Sequence, residues 1–141
     1  MRILAIDYGD ARIGLALSDE SETLASPIGT YKSQTMRKDI DYIAALAKEK
    51  QAGLIVLGLP VNMDGSSGER VSKTKSFGNV LERVSGIQVE YKDERLTTVT
   101  AEQTLIECGM RREKRKQVID TLSAQIILQS YLDARKRINK K

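Results

Sequence analysis

The sequence predicts an α/β fold: a mixed five-stranded sheet in the order 3-2-1-4-5, with strand two antiparallel and helices on both faces. Three observations point there. The chain opens into a continuous apolar run, Ile3-Leu4-Ala5-Ile6, the pattern of a strand covered on both faces in the middle of a sheet. Only Gly9-Asp10-Ala11-Arg12 separates it from the next strand-like run, too few residues for a helical crossover, so the two form an antiparallel hairpin. Beyond Met36, helical and strand segments alternate, and right-handed crossovers carry the later strands to the other side of strand one.

Strand one spans Arg2 to Tyr8 and strand two Ile13 to Ser18. Leu24 to Tyr31 is a third strand; Pro27 cannot donate to a ladder, which puts that strand at the sheet edge. A helix runs from about Met36 to Lys50, with Ile40, Ile43, Ala44 and Ala47 on one face. Leu54 to Leu59 is a buried strand. Ser66 and Glu69 form a capping box for a helix from about Ser67 to Val84, whose inward stripe is Val71, Phe77, Leu81 and Val84. Ile87, Val89 and Tyr91 alternate in strand five. Two further helices are expected over about Thr98 to Cys108 and about Glu113 to Arg137, with Gly109 as the break. At 141 residues the chain reads as a single domain over residues 1–141, with a basic C-terminal tail from about Ala134.

Composition excludes much chemistry. The chain has no histidine and one cysteine, Cys108, so Ser-His-Asp triads, Cys-His nucleophiles, zinc sites built on His or Cys clusters and His proton shuttles all lack parts. Carboxylate, Lys, Tyr, Ser and Thr chemistry remains. No apolar run reaches the length of a membrane span and no signal-peptide pattern precedes strand one, so no membrane partner and a cytoplasmic location are expected. The net charge of +4 is unevenly placed. Arg111 to Lys116 carries five cations and one acid, and Ala134 to Lys141 five cations and no acid. The rest of the chain holds 13 basic against 18 acidic residues, so the positive excess lies in two short stretches, a distribution that suits a polyanion.

In sheets of this topology sites form beyond the carboxyl ends of the parallel strands, where strand one ends in Asp7-Tyr8-Gly9. An acid at the end of a buried strand needs a backbone amide, a cation or a metal as partner. Asp120 stands at helical spacing from Ala124, Ile127 and Tyr131 and should face inward with them. Asp93 and Glu94 leave strand five at the same edge, where a solvated charged turn is the alternative. Mutually repelling acids cluster stably around a cation, and all-oxygen ligation without His or Cys selects Mg²⁺ or Mn²⁺. Such an ion takes substrate phosphates as further ligands, which is the arrangement for hydrolysing a phosphodiester.

Four blocks carry a resemblance: IDYGDARIGLALSD (6–19), VLGLPVNMDGSSGER (56–70), KDERLTT (92–98) and VIDTLSAQIILQSYL (118–132). In this order they resemble the YqgF/RuvX family of RNase H-like proteins, described as Holliday junction resolvases and as nucleases maturing the 5′ end of pre-16S ribosomal RNA. The resemblance implies an RNase H-like fold and catalytic, metal-holding acids at Asp7, Glu94 and Asp120, with Mg²⁺ or Mn²⁺ as cofactor. It implies an endonuclease acting on an rRNA precursor, or alternatively on branched DNA, with the ribosomal small subunit a further partner and either a monomer or a homodimer as the working form.

Nucleic-acid contacts are expected from Arg12, Arg95, Arg111, Arg112, Lys114, Arg115 and Lys116. Thr97 and Thr98 either contact backbone or cap the next helix, and the Gly58-Leu59-Pro60 turn with 64–68 leads into a helix N-terminus suited to a phosphate. Asp19 ends antiparallel strand two at the opposite sheet edge and should not be catalytic. Two other classes share features: Asp7-Tyr8-Gly9 with Gly14 resembles the first phosphate loop of actin-like ATPases and sugar kinases, which need two such domains, and a nucleic-acid-binding assembly module would keep the acids for structure alone.

Overall fold

A computed structural model describes residues 1–9, 11–60, 68–93 and 112–139, the last segment with side chains over 122–136. Its elements are β1 (Arg2–Tyr8), β2 (Arg12–Ser18), β3 (Ala25–Lys32), α1 (Met36–Glu49), β4 (Ala52–Leu59), α2 (Glu69–Ser85), β5 (Val89–Asp93) and α3 (Arg112–Asn139). The strands form one sheet in the order β3-β2-β1-β4-β5. β2 is antiparallel to both β1 and β3, while β4 is parallel to β1 and β5 to β4, as the sequence predicts.

β1 lies between two helix layers, and Ile3, Leu4, Ala5 and Ile6 are fully buried. Because successive side chains of a strand point to opposite faces, the strand divides the interior in two. Leu4, Ile6 and Tyr8 join Ile13, Leu15 and residues of α1 and α2 in one cluster. Ile3 and Ala5 join Ala16, Leu54, Val56 and the α3 residues Ala124, Ile127, Leu128 and Leu132 in the other.

α1 begins at Met36 because Thr35 caps it, its hydroxyl accepting from the Lys38 amide at 3.2 Å. Asp39 is buried there, its carboxylate accepting from the Ser33 hydroxyl at 2.6 Å and the Gln34 amide at 2.8 Å. Ser66, one half of the capping box expected on α2, lies outside the described residues. Gly68 is the N-cap, with no side-chain hydrogen bond, and Glu69 is the first helical residue instead of the third, which leaves it only its favourable charge at the positive end of the helix dipole. Val84 is 49% exposed, contrary to expectation. The inward positions follow the spacing Val71, Thr74, Gly78, Leu81 and Ser85, with Phe77 alongside, and Val84 falls one residue off that stripe. The helix closes on Gly86, whose φ of 72° is the left-handed conformation that glycine adopts without strain.

β3 is an edge strand, and Pro27 sits opposite Ala16 beside a register shift. α3 continues through 134–139, so this part of the basic C-terminal stretch is helical. The helix expected over Thr98 to Cys108 and its Gly109 break lie outside the described residues. Among those residues, no helix is long and apolar enough to cross a membrane.

Side-chain bonds fix the direction of α3. Gln129 donates to the Thr23 carbonyl at 3.1 Å and accepts from the Ala25 amide at 3.0 Å, and one turn earlier Gln125 donates to the Ala25 carbonyl at 3.2 Å. Arg135 pairs with Glu22 at 2.7 Å. Because β3 runs parallel to β1, moving back along α3 moves toward the carboxyl end of β1.

Asp19 anchors the turn after β2. Its carboxylate accepts from the Ser21 hydroxyl at 2.7 Å and from the amides of Thr23 and Leu24 at 2.8 and 3.2 Å. These bonds, the Ser21 hydroxyl foremost, hold its pKa at about 2. A depressed carboxylate contributes stability that is present above its unfolded value of 3.8 and is lost as pH falls toward 2. Urea denaturation between pH 5 and pH 2 should therefore show a shallower acid loss in Asp19→Asn than in the parent, with Asp19→Asn already less stable at pH 7.

Candidate active site

Asp7 is the first polar side chain after the buried run of β1, and it is half-buried. Parity puts it on the same face as Ile3 and Ala5, under α3, and away from Leu4, Ile6 and Tyr8. Its register partner on β2 is Gly14, which presents no side chain on that face. The neighbouring Tyr8 points to the opposite layer and stacks on Phe77 of α2, ring centroids 4.3 Å apart at 19°. The Lys73 ammonium lies 5.9 Å from the Tyr8 ring centroid, within cation–π range. Stacking in one layer thus anchors the strand end from which Asp7 projects into the other.

The hairpin after β1 is tight: the Gly9 amide donates to the Arg12 carbonyl at 3.1 Å, and a Cβ on residue 9 would lie 2.6 Å from that oxygen. Arg12 is exposed and has the parity of Gly14, so it shares the face of Asp7 at the same end of the sheet. Its register partner on β3 is Lys32, also exposed, a residue that the sequence reading missed. Counting the hairpin register from Arg12 through the β2–β3 turn is the signal that would have found it.

β5 separates its two acids by parity. Tyr91 packs against the α1/α2 cluster and its hydroxyl donates to the Lys75 carbonyl at 3.3 Å. Asp93 has the parity of Tyr91 and so lies on the α2 side, across the sheet from Asp7. Glu90 and Lys92 have the α3 parity. The Tyr131 hydroxyl of α3 donates to Glu90, and burial together with this carboxylate raises the phenol's pKa. Lys92 lines a groove of about 450 Å³ with Ile126, Gln129, Ser130, Asp133 and Ala134. The link from Tyr131 to Glu90 ties α3 to β5, and nothing in the sequence pattern pointed to it.

Of the sequence-predicted site residues, Glu94, Arg95, Thr97, Thr98 and Arg111 lie outside the described residues, as does 61–67 of the glycine-rich loop. Arg112, Lys114, Arg115, Lys116 and Asp120 belong to α3, with backbone alone described. Among the described residues no three acids come together as a metal-binding group.

Comparison with known proteins agrees with this architecture. The family described as "RuvX: Holliday junction resolvase" matches residues 1–134. A protein of Clostridioides difficile provisionally named pre-16S rRNA nuclease is 47% identical over 132 residues, 94% of each chain. One of the same provisional name from Caldanaerobacter subterraneus is 47% identical over 137 residues, covering 96% of this chain and 99% of its own. Among solved structures, Thermus thermophilus RuvC in complex with a Holliday junction superposes with a TM-score of 0.63 at 13% identity, covering 97% of this chain and 96% of RuvC. The fowlpox virus resolvase bound to Holliday junction DNA gives 0.59 at 14% identity over 96% and 99% of the two chains. These likenesses show the RNase H-like fold.

The hairpin geometry makes a direct prediction. Gly9→Ala forces the Arg12 carbonyl away from the turn and should cost about 1 to 3 kcal/mol, read from chemical denaturation.

Proposed function

Because the chain belongs to the RuvX family of Holliday junction resolvases, we propose that it is an endonuclease that hydrolyses nucleic-acid phosphodiesters at the carboxyl ends of β1 and β5, with Asp7, Glu94 and Asp120 as its catalytic acids. Its substrate on this reading is pre-16S rRNA, the RNA for which its relatives at 47% identity are provisionally named, with the 5′ end as the site of cleavage that we propose. The observation that carries the proposal is the position of Asp7: half-buried, at the end of the central strand, on the face that α3 covers.

Two backbone relations support the remaining acids. Asp120 stands one turn before the buried Ala124 on α3, and the helix climbs roughly 13 Å between Gln129 and Asp120. From Ile3, at the level of the Gln129 contacts, to Asp7 the strand also climbs about 13 Å, and this match in reach supports Asp120 as a neighbour of Asp7. Asp93 lies on the α2 side, which supports Glu94, the next residue, as the acid of this pair.

The donor set suits Mg²⁺ or Mn²⁺: carboxylate oxygens in a chain without histidine, one of them already half-buried at the strand end. Asp7, Glu94 and Asp120 would hold the ion, and bound there it would supply Lewis-acid polarisation of the phosphate. The chain's own groups do the rest. Asp7 is kept in place by the strand and by the Tyr8–Phe77 stack, so it supplies negative charge at a fixed point. Arg112, Lys114 and Arg115 stand in the first turn of α3 and Lys116 directly follows it, where positive charge opposes the helix dipole. A bound phosphate backbone would offset that unfavourable placement, with Arg95 and Arg111 on the same reading contributing further cations.

A second reading, cleavage of branched DNA, is favoured by the resolvase description of the family and by the RuvC and fowlpox folds. Resolving a junction takes two cuts, so that reading requires a homodimer, whereas rRNA trimming is compatible with a monomer. We further propose that residues 1–141 act as a single domain in the cytoplasm, with the ribosomal small subunit as the context of the RNA substrate.

Asp7→Asn decides whether the acid is catalytic. The purified variant, given Mg²⁺ with a pre-16S leader RNA and with a four-way DNA junction, should cut neither, while its melting temperature holds or rises as repulsion among the acids is relieved. A variant that melts early and still cuts would identify Asp7 as a structural turn acid, and a parent protein that binds without cutting would identify an assembly module.

A further inference from the structure

Arg12 and Lys32 are direct register partners across the antiparallel pair β2–β3. Such partners share a face, with Cβ atoms about 4.5 to 5.5 Å apart, and like charges in that relation weaken strand pairing. Both side chains are exposed, and among the described residues neither makes an ion pair. The backbone holds them in place from both sides: the Arg12 carbonyl closes the β1–β2 hairpin on Gly9, and the Ser33 amide donates to the Ala11 carbonyl at 3.0 Å.

Their placement relative to Asp7 gives the pair a direction. On the α3 face, Asp7 is level with Gly14, and Gly14 with Thr30. The next row on that face, toward the strand end, is Arg12 and Lys32. With strands about 4.8 Å apart and same-face rows about 6.8 Å apart, the Arg12 and Lys32 backbones stand roughly 8 and 12 Å from that of Asp7. Two long cationic side chains at those intervals line a track that leaves the acid and crosses to the edge strand β3.

We propose that Arg12 and Lys32 form a two-point clamp for the phosphodiester backbone, guiding the substrate strand from Asp7 across the β2–β3 edge. The inference rests on the nuclease reading of Asp7, and it assigns to Lys32 a role in substrate binding. A phosphate between the two cations removes the repulsion that the empty pair carries, so the unfavourable cross-strand pairing and the ligand's charge have one explanation.

The test is anisotropy of a labelled single-stranded RNA oligonucleotide, titrated in EDTA across a range of salt concentrations, with a labelled four-way DNA junction run alongside. Lys32→Gln should weaken binding and lower the slope of log affinity against log salt by about 0.7 on RNA, and Arg12→Gln with Lys32→Gln by about 1.4. Lys48→Gln, at the far end of α1, should leave both unchanged. Lys32→Glu should bind most weakly of all yet raise the melting temperature of the free protein, because it places opposite charges across the strand pair. Loss on RNA, on the junction or on both supports the clamp and identifies the polymer it holds. Variants that bind both polymers as the parent does, with the parent's salt slope, would overturn it. The two readings fail separately: a parent that binds but does not cut leaves the clamp standing without the nuclease, and clamp variants with parental binding in a cutting enzyme leave the nuclease without the clamp.

Discussion

Burial of β1 on both faces is the constraint from which the rest of the structure follows. Four consecutive side chains, Ile3 to Ile6, are withdrawn completely from water. Their burial requires a helix layer on each side and a paired strand on each edge, which the sheet order β3-β2-β1-β4-β5 supplies. The same constraint places the chemistry. Where the apolar run stops, the chain can first expose a charged group without desolvating it fully, and there Asp7 stands half-buried.

The two-residue period of the strands then sorts side chains between layers. Tyr8, Ile13, Tyr31 and Tyr91 pack toward α1 and α2, while Asp7, Gly14, Arg12, Lys32 and Glu90 belong to the α3 side. This division of labour gives one layer aromatic anchorage and the other an acid flanked by cations. Gly78 belongs to the same arrangement, since a Cβ there would meet the Tyr91 hydroxyl and Leu57 Cδ2, so its small size lets α2 approach β4 and β5.

α3 is held at its far end by polar ties distinct from its apolar stripe. Tyr131 donates to Glu90, Arg135 donates to the Tyr131 oxygen at 3.4 Å, and Arg135 also pairs with Glu22. Partial burial and the neighbouring carboxylate push the Tyr131 phenol up, so this tie keeps its proton through neutral pH. Anchoring the C-terminal half of the helix at the base of the sheet sets the level that its N-terminal half, with Asp120 and the basic run, attains.

Local pattern alone determined the strands, the hairpin, the edge position of β3, the course of α1 and the sheet order, because the continuous apolar run of β1, the short Gly9–Arg12 link and the 3.6-residue period of α1 each admit one solution. It also singled out Asp7, an acid where a buried strand ends, and dismissed Asp19, which the structure commits to its own turn. The sequence places the start of α2 within two residues of Glu69, while the choice of Gly68 as its N-cap depends on where the backbone first turns helical, which side-chain spacing alone does not fix. Only the tertiary structure decided that Asp93 faces away from Asp7, that Lys32 stands opposite Arg12, and that Tyr131 reaches Glu90. Each of those relations depends on strand register or helix docking, which join residues far apart in the chain, and a one-residue slip in register would reverse the face of every side chain involved.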